Sequence, residues 1–136
     1  MPRPDIIYSS RSPTGEAAYT FYVGMGWEPG LGRTPAQLAS ALQGSWYLAC
    51  AWDGDRLVGM VRALSDGGLH AFLCGLGVLP GHRGQGIGKA LAEQAVSHCL
   101  DAGMRPQLLC EDALAPFYRR LGFEPFLTGM KHRGNL

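Results

Sequence analysis

The stretch Val78-Leu-Pro-Gly-His-Arg-Gly-Gln-Gly-Ile-Gly-Lys-Ala-Leu91 links an apolar, strand-like segment to a helix through a glycine-rich loop. Beyond the loop, apolar residues recur every four positions, which predicts a helix over residues 86–102 with one buried face. These residues are Ile87, Leu91, Ala95 and Cys99. No Ser, Thr, Asp or Asn stands just ahead of this helix to cap its free N–H groups.

The loop itself predicts a phosphate site. Gly84, Gly86 and Gly88 remove the side chains that would block a ligand approaching the helix N-terminus. Free N–H donors and the positive end of the helix dipole favour an anion there. Basic residues flank the loop on both sides, namely His82, Arg83 and Lys89. We therefore interpret the loop as an anion site rather than as a flexible turn.

Two common phosphate-binding patterns do not fit this loop. A Walker A motif ending at Lys89 requires Gly at position 83 and Ser or Thr at position 90, where the chain has Arg83 and Ala90. A dinucleotide fingerprint starting at Gly84 requires a glycine where Lys89 stands. A mononucleotide-binding protein is therefore disfavoured. The loop instead reads Arg-x-x-Gly-x-Gly over residues 83–88, after Val-x-Pro.

Length, composition and net charge restrict the number of domains, the kinds of partner and the location that can be expected. With 136 residues, 46% of them hydrophobic and 17% charged, the chain is predicted to form a single domain over residues 1–136. A net charge of +1 gives no reason to expect nucleic acid or a membrane as a partner. The sequence shows no signal peptide or membrane-length apolar run, so a cytoplasmic location is expected.

The four cysteines carry no C-x-x-C spacing and lie in apolar segments, which predicts buried free thiols rather than disulfides or metal ligands. They are Cys50, Cys74, Cys99 and Cys110.

The order of predicted elements indicates one mixed sheet. The expected strands are Ile6–Tyr8, Trp46–Trp52, Arg56–Leu64, Leu69–Val78, Gln107–Cys110 and Phe126–Met130. The expected helices are Glu16–Gly24, a second from Pro35 to Gly44, 86–102 and Ala113–Leu121, with a loop over Gly24–Arg33. The second, third and fourth strands should form an antiparallel meander, and the helix that follows should return to a parallel strand. This pattern is typical of an α/β (α+β) fold with helices on the faces of the sheet.

A second motif, Ala-Pro-Phe-Tyr-Arg-Arg-Leu-Gly-Phe, covers residues 115–123. It predicts a short amphipathic helix whose core residues are Phe117, Leu121 and Phe123. Tyr118 differs from them because a buried hydroxyl needs a partner and a phenol can donate a proton. Taken alone, the residue is better explained by a structural role.

The loop motif and the Phe-Tyr-x-x-x-Gly-Phe segment, in this order, together resemble the GNAT superfamily of N-acetyltransferases over about residues 46–130. The resemblance implies that the strands ending near Val78 and Cys110 splay apart around the pantetheine of acetyl-CoA, with no metal involved. It implies backbone pairing with pantetheine by Leu76, Gly77 and Val78. It also implies a pyrophosphate site formed by the amides of Arg83, Gly84, Gln85, Gly86, Ile87, Gly88 and Lys89.

The same resemblance implies a chemistry. A primary amine of a small molecule or peptide attacks the thioester directly, Tyr118 protonates the departing thiolate, and a backbone N–H near Val78 stabilises the oxyanion. Acetyl-CoA and the amine are the expected partners, and small members of the family often form homodimers. The acceptor is expected over Phe21–Leu38, where Tyr22, Trp27 and Glu28 offer aromatic walls and a carboxylate.

One departure from the family pattern leaves the general base open. The strand Leu69–Val78 contains no Asp or Glu, and Gly75 stands where close relatives often have Asp. Gly75 and Gly77 are expected instead to mark a bulge that splays the strands. The remaining base candidates are His70, Glu28, Asp66, Glu111 and Asp112. Glu111 stands where relatives frequently have Asn, and an amine of low pKa would need no dedicated base. A non-catalytic acyl-CoA sensor is the alternative.

Overall fold

The computed structural model describes residues 5–27 and 31–135. Five strands form one sheet in the order β1-β2-β3-β4-β5, antiparallel throughout except for the parallel pair β4 and β5. The strands are β1 Ile6–Ser9, β2 Tyr47–Asp53, β3 Arg56–Ser65, β4 Ala71–Val78 and β5 Pro106–Leu108. The predicted meander and the parallel return strand are confirmed.

Four α-helices accompany the sheet in the described residues: α1 Gly15–Gly24, α2 Pro35–Gln43, α3 Ile87–Asp101 and α4 Ala115–Arg119. Two 3-10 turns lie at Pro80–His82 and Asp112–Leu114. The sequence encodes the starts of α1 and α2 locally. Thr14 Oγ1 accepts a hydrogen bond from the Ala17 amide, and Thr34 and Gln37 form a reciprocal capping box.

Neighbouring residues of β3 show how the helices cover both faces of the sheet. A Cβ on Gly59 would lie 3.0 Å from Leu91 and 3.1 Å from Ile87, so this side of β3 packs closely on α3. Arg62, three positions further on, points to the other face and bonds to Ser45 and to the Ala41 carbonyl of α2. The predicted buried stripe of α3 is confirmed and also includes Ala92.

A bulge and a gap interrupt β4. Met60 lies opposite Gly77 and Arg62 lies opposite Cys74, so β4 carries one residue more than β3 between these pairs. Gly75, inside that interval, has a φ of +64°, which glycine adopts without strain. Pairing of β4 with β5 ends at Leu73 and Leu108, although β4 continues to Val78. The bulge and the splayed central strands are therefore confirmed.

The C-terminal part differs from the prediction. Residues Phe126–Met130 form no strand, and Phe126 and Leu127 are exposed. The prediction of a strand was wrong because a short apolar segment alone provides no neighbouring strand for backbone pairing. β5 ends at Leu108 rather than at Cys110.

The second motif is also less regular than predicted. Instead of one helix over Ala113–Leu121, a 3-10 turn precedes α4. The three residues predicted for the core are half-buried, namely Phe117, Leu121 and Phe123. Of the predicted loop Gly24–Arg33, residues 28–30 lie outside the described residues, Glu28 among them.

Gly77→Ala is expected to destabilise the fold. The added Cβ would lie 2.7 Å from Met25 Cε and 2.9 Å from the Trp27 ring, so these side chains would have to move. Overpacking of this kind costs about 1–3 kcal/mol, which thermal unfolding would register as a lower Tm.

Gly68→Ala is the matched control because a Cβ there meets nothing within 4 Å. If both variants melted at the wild-type temperature, the close packing of Trp27 on β4 would be disproved.

Candidate active site

A groove opens where β4 and β5 diverge. Its volume is about 310 Å³. β4 lines it with Leu73–Leu76, and the end of β5 and the loop after it line it with 108–111. Trp27 and Tyr118 complete its walls, together with Leu114. The groove therefore lies between the two strands whose separation the sequence predicted.

The far end of β4 presents backbone groups to this gap. The Leu79 amide donates to the Val58 carbonyl of β3 at 2.9 Å. Because backbone groups alternate in direction along a strand, the N–H and C=O of Val78 point to the opposite edge, away from β3. Arg83 Nε reaches that edge and donates to the Val78 carbonyl at 2.8 Å. Gly77 pairs with Met60, and Leu76 lines the groove.

The glycine loop has a conformation that its sequence requires. Gly84 and Gly86 have φ angles of +77° and +83°, a region that favours glycine. Gly86 is the N-cap of α3 and provides no side-chain hydrogen bond, so the predicted uncapped helix start is confirmed. A Cβ on Gly88 would lie 3.6 Å from Val78 Cγ2. The uncapped N-terminus of α3 thus adjoins the open end of β4.

The charges around the loop are only partly those predicted. Arg83 and Lys89 are exposed and can meet an anion. His82 is buried, and its Nε2 lies 2.9 Å from Asp53 Oδ2 at the end of β2. The prediction that His82 flanks the anion site was therefore wrong. Its contact with Asp53 instead attaches the turn before the loop to the β2–β3 hairpin.

Two polar atoms near the loop are buried without a hydrogen-bond partner among the described residues. They are His82 Nδ1 and Gln85 Oε1. Gln85 is one of the residues whose backbone amides were predicted to face the pyrophosphate. Its Oε1 is an acceptor, so the partner that this atom needs is a donor and not a phosphate oxygen.

Tyr118 is held at the groove by aromatic packing. Its ring makes edge contacts with Phe117 and Phe123 at centroid distances of 5.1 and 5.8 Å. Burial raises the pKa of Tyr118, and the nearby Cys110 thiol raises it further. The phenol therefore keeps its proton at neutral pH and can donate it into the groove.

The residues considered as candidates for the general base lie at different positions relative to the groove. Asp66 closes a turn by accepting from the amides of Gly68, Leu69 and His70, and these bonds lower the pKa of Asp66 to about 2. The side chain of His70 is exposed. Glu111 lines the groove, whereas Asp112 begins the 3-10 turn beyond it. Glu28 lies outside the described residues. The structure therefore brings Glu111, Tyr118 and the edge of β4 together.

Cysteine positions follow the prediction only in part. Cys50 and Cys99 are buried free thiols, and burial raises the pKa of Cys50 to about 12. Cys74 is half-buried and Cys110 is exposed, and both line the groove. The prediction for Cys110 was wrong because β5 ends before it and leaves it outside the sheet.

Sequence reasoning missed two residues beside the site. Arg62 is the charged residue in the apolar interior of β3, a signal that could have identified it. Asp53 gave no comparable signal because its partner His82 is 29 residues away in the chain.

The whole arrangement matches that of a known family. Residues 13–123 match the acetyltransferase (GNAT) family model. The chain therefore belongs to the GNAT acetyltransferase family, and its fold is that of the family.

Two plant proteins illustrate the relationship. Histone acetyltransferase TAP1 of Glycine max is 34% identical over 111 residues, which cover 73% of this chain and 48% of that protein. The chloroplastic GCN5-related N-acetyltransferase 2 of Arabidopsis thaliana is 32% identical over 93% of this chain and 57% of its own length. The chain thus spans about half the length of these relatives.

Among solved structures, a GNAT family acetyltransferase from Streptococcus pneumoniae superposes with a TM-score of 0.78 at 30% identity. The match covers 96% of this chain and 99% of that one. In the part of this chain that the structure describes, no helix is long and apolar enough to cross a membrane. Within the same residues, no three His, Cys, Asp or Glu side chains cluster as metal ligands would.

Asp66→Asn is expected to weaken the loss of stability that the protein shows as the pH falls. The pKa of Asp66 is about 2 in the folded protein against 3.8 ordinarily, so ionised Asp66 stabilises the fold above about pH 4. That contribution is lost as the pH falls through 2. Asn keeps an acceptor oxygen but does not titrate. Tm measured from pH 5 to pH 2 should therefore fall less steeply in the variant.

Asp101→Asn, which removes an exposed carboxylate at the end of α3, is the control for charge alone. If Tm fell equally steeply between pH 5 and pH 2 in Asp66→Asn and in the wild type, the hydrogen bonds assigned to Asp66 would be contradicted.

His82→Ala is expected to lower Tm and to loosen the loop that follows. The substitution removes a buried polar contact with Asp53, a loss of about 1–3 kcal/mol. Hydrogen exchange should accelerate over residues 80–88, measured against the exposed His70→Ala variant. Unchanged exchange in that segment would show that the His82–Asp53 contact does not hold the loop.

Proposed function

We propose that the protein transfers an acetyl group from acetyl-CoA to a primary amine of a small molecule or peptide. One observation carries the proposal. β4 leaves β5 after Leu73 and runs on as an unpaired edge to Val78, and the uncapped N-terminus of α3 follows within one turn and one loop. An unpaired strand edge next to a bare helix N-terminus suits an extended amide-containing chain that ends in a diphosphate.

The residues present fit acetyl-CoA in this position. β4 would lie beside pantetheine over Leu76, Gly77 and Val78. The outward-facing donor there is the Val78 N–H, because Gly77 pairs with Met60 of β3 and the Val78 carbonyl accepts from Arg83. The amides of the loop would hold the pyrophosphate, as the exposed cations Arg83 and Lys89 beside them support. These amides belong to Gly84, Gln85, Gly86, Ile87, Gly88 and Lys89, whereas the Arg83 amide, which was also predicted to contribute, donates to the Pro80 carbonyl. When bound, acetyl-CoA supplies an acetyl group activated as a thioester.

Tyr118 is the general acid in this proposal. A phenol that burial keeps protonated can give its proton to a thiolate at the same groove, which removes the charge of the leaving group. The edge contacts with Phe117 and Phe123 hold the ring in place, so the hydroxyl is positioned before any ligand binds.

The amine would enter on the side of Trp27 and Tyr22. Trp27 lines the groove and packs edge-on against the buried Tyr22 ring at 5.0 Å. β4 offers no carboxylate there, and Glu111 is the carboxylate among the described groove-lining residues. Glu111, directly or through water, is therefore the side chain best placed to take the amine proton.

Tyr118→Phe tests the assignment. Phe keeps the aromatic packing and loses only the hydroxyl, so the thiol-release rate with acetyl-CoA and an amine panel should fall about 100- to 10,000-fold. Affinity for coenzyme A, measured by calorimetry, should stay near that of the wild type.

Tyr8→Phe in β1, at the other edge of the sheet from β5, is the matched control and should keep its rate. A Tyr118→Phe enzyme of wild-type rate would refute the role of Tyr118. Tight coenzyme A binding without turnover of any amine by the wild type would indicate a non-catalytic acyl-CoA sensor instead.

A further inference from the structure

Arg62 lies directly behind the β4 wall of the groove, next to the groove-lining Gly75. It lies opposite Cys74 in the β3–β4 pairing, at the start of the bulge. A Cβ built on Gly75 would lie 3.5 Å from Arg62 Cδ and 3.8 Å from its Cγ, so the Arg62 stem runs directly beside the bulged backbone. Cys74 and Gly75 both line the groove. The glycine at position 75 therefore leaves space between the groove and Arg62.

The bonds of Arg62 are all to neutral oxygens. Its Nε donates to Ser45 Oγ at 2.9 Å, and a terminal N–H donates to the Ala41 carbonyl at 3.4 Å. Among the described residues, no carboxylate forms a salt bridge with it. A guanidinium has five N–H donors, so donors remain for a ligand.

The charge acts on the groups around it. Burial raises the pKa of the Cys74 thiol, and Arg62 opposes that increase. Burial likewise raises the pKa of Tyr22, against the charge and hydrogen bond of Arg62. The field of Arg62 therefore reaches both the floor of the groove and the wall on which the amine is expected.

We propose that Arg62 selects an acceptor amine that also carries an anionic group, a carboxylate or a phosphate, and binds that group. The inference rests on the proposed function. A half-buried guanidinium without an anionic partner is complementary to such a group, and charge-assisted hydrogen bonds to Arg are among the strong ones. The Arg62 guanidinium would repel a second ammonium group on the acceptor, so polyamines and basic peptides are expected to be poor acceptors.

The same charge helps to explain activity without a carboxylate on β4. A cation close to an amine disfavours its ammonium form, so Arg62 increases the fraction of neutral, nucleophilic amine. Gly75 and Arg62 thus act together. Because Gly75 has no side chain, none stands between Arg62 and the groove, and Arg62 provides the charge.

Matched acceptor pairs test the proposal. β-Alanine is compared with β-alaninamide, and phosphoethanolamine with ethanolamine, each with acetyl-CoA and thiol release as the readout. The wild type should favour the anionic member of at least one pair, and the two pairs distinguish carboxylate from phosphate. Arg62→Gln should reduce that preference about 10- to 100-fold, the range for a lost charge-assisted contact.

Arg56→Gln is the matched control because it removes the same charge at the exposed start of the same strand. Arg62→Lys keeps the charge and should retain part of the preference. Coenzyme A affinity and Tm show whether each variant is folded. If Arg62→Gln does not fold, the wild-type preference and the Arg62→Lys variant decide the question.

The outcomes separate this inference from the proposed function. Efficient acetylation of neutral amines or of a lysine-rich peptide, with no preference for anionic acceptors, would overturn the inference and leave the acetyltransferase intact. A preference that Arg62→Gln leaves unchanged would also overturn the role of Arg62. No acetyl transfer to any amine would instead contradict the proposed function itself.

Discussion

The separation of β4 from β5 after Leu73 and Leu108 is the constraint on which the rest of the molecule depends. A strand edge inside a protein carries N–H and C=O groups that need partners. Here the bulge at Gly75 turns β4 away from its neighbour, and Val78 directs its backbone groups into the resulting gap. The fold therefore keeps a stretch of sheet incomplete, and the proposed acetyl-CoA site rests on that open edge.

The surrounding residues maintain this gap. Trp27 and Met25 fill the space above Gly77 on one face, while α3 packs closely on β3 at Gly59 on the other. The His82–Asp53 contact fixes the start of the glycine loop relative to the β2–β3 hairpin. The position of the uncapped α3 terminus is thus set by packing at three separate places, and the loop itself contributes mainly backbone donors.

Much of this could be predicted from the sequence because the decisive signals are local. The stripe of α3, the Thr34-Pro35 helix start and the glycines of the loop each act over a few residues. The contacts missed are long-range. The pairing of His82 with Asp53 and the place of Arg62 beside Gly75 depend on strand register, which no local pattern specifies. The strand predicted at Phe126–Met130 failed for the related reason that a short apolar segment cannot show whether a neighbouring strand exists. The groove could be predicted from the family resemblance, whereas the positive charge of Arg62 beside it could be found only in the structure.

The most direct test is residue-resolved hydrogen exchange with and without coenzyme A. If the open edge and the bare helix start hold the ligand, the amides of Val78 and of Gly84–Lys89 should exchange more slowly when coenzyme A is present. The amides of β1, at the opposite edge of the sheet from β5, should be unaffected. Binding of coenzyme A that leaves the amides of Val78 and of the loop unprotected would contradict the account.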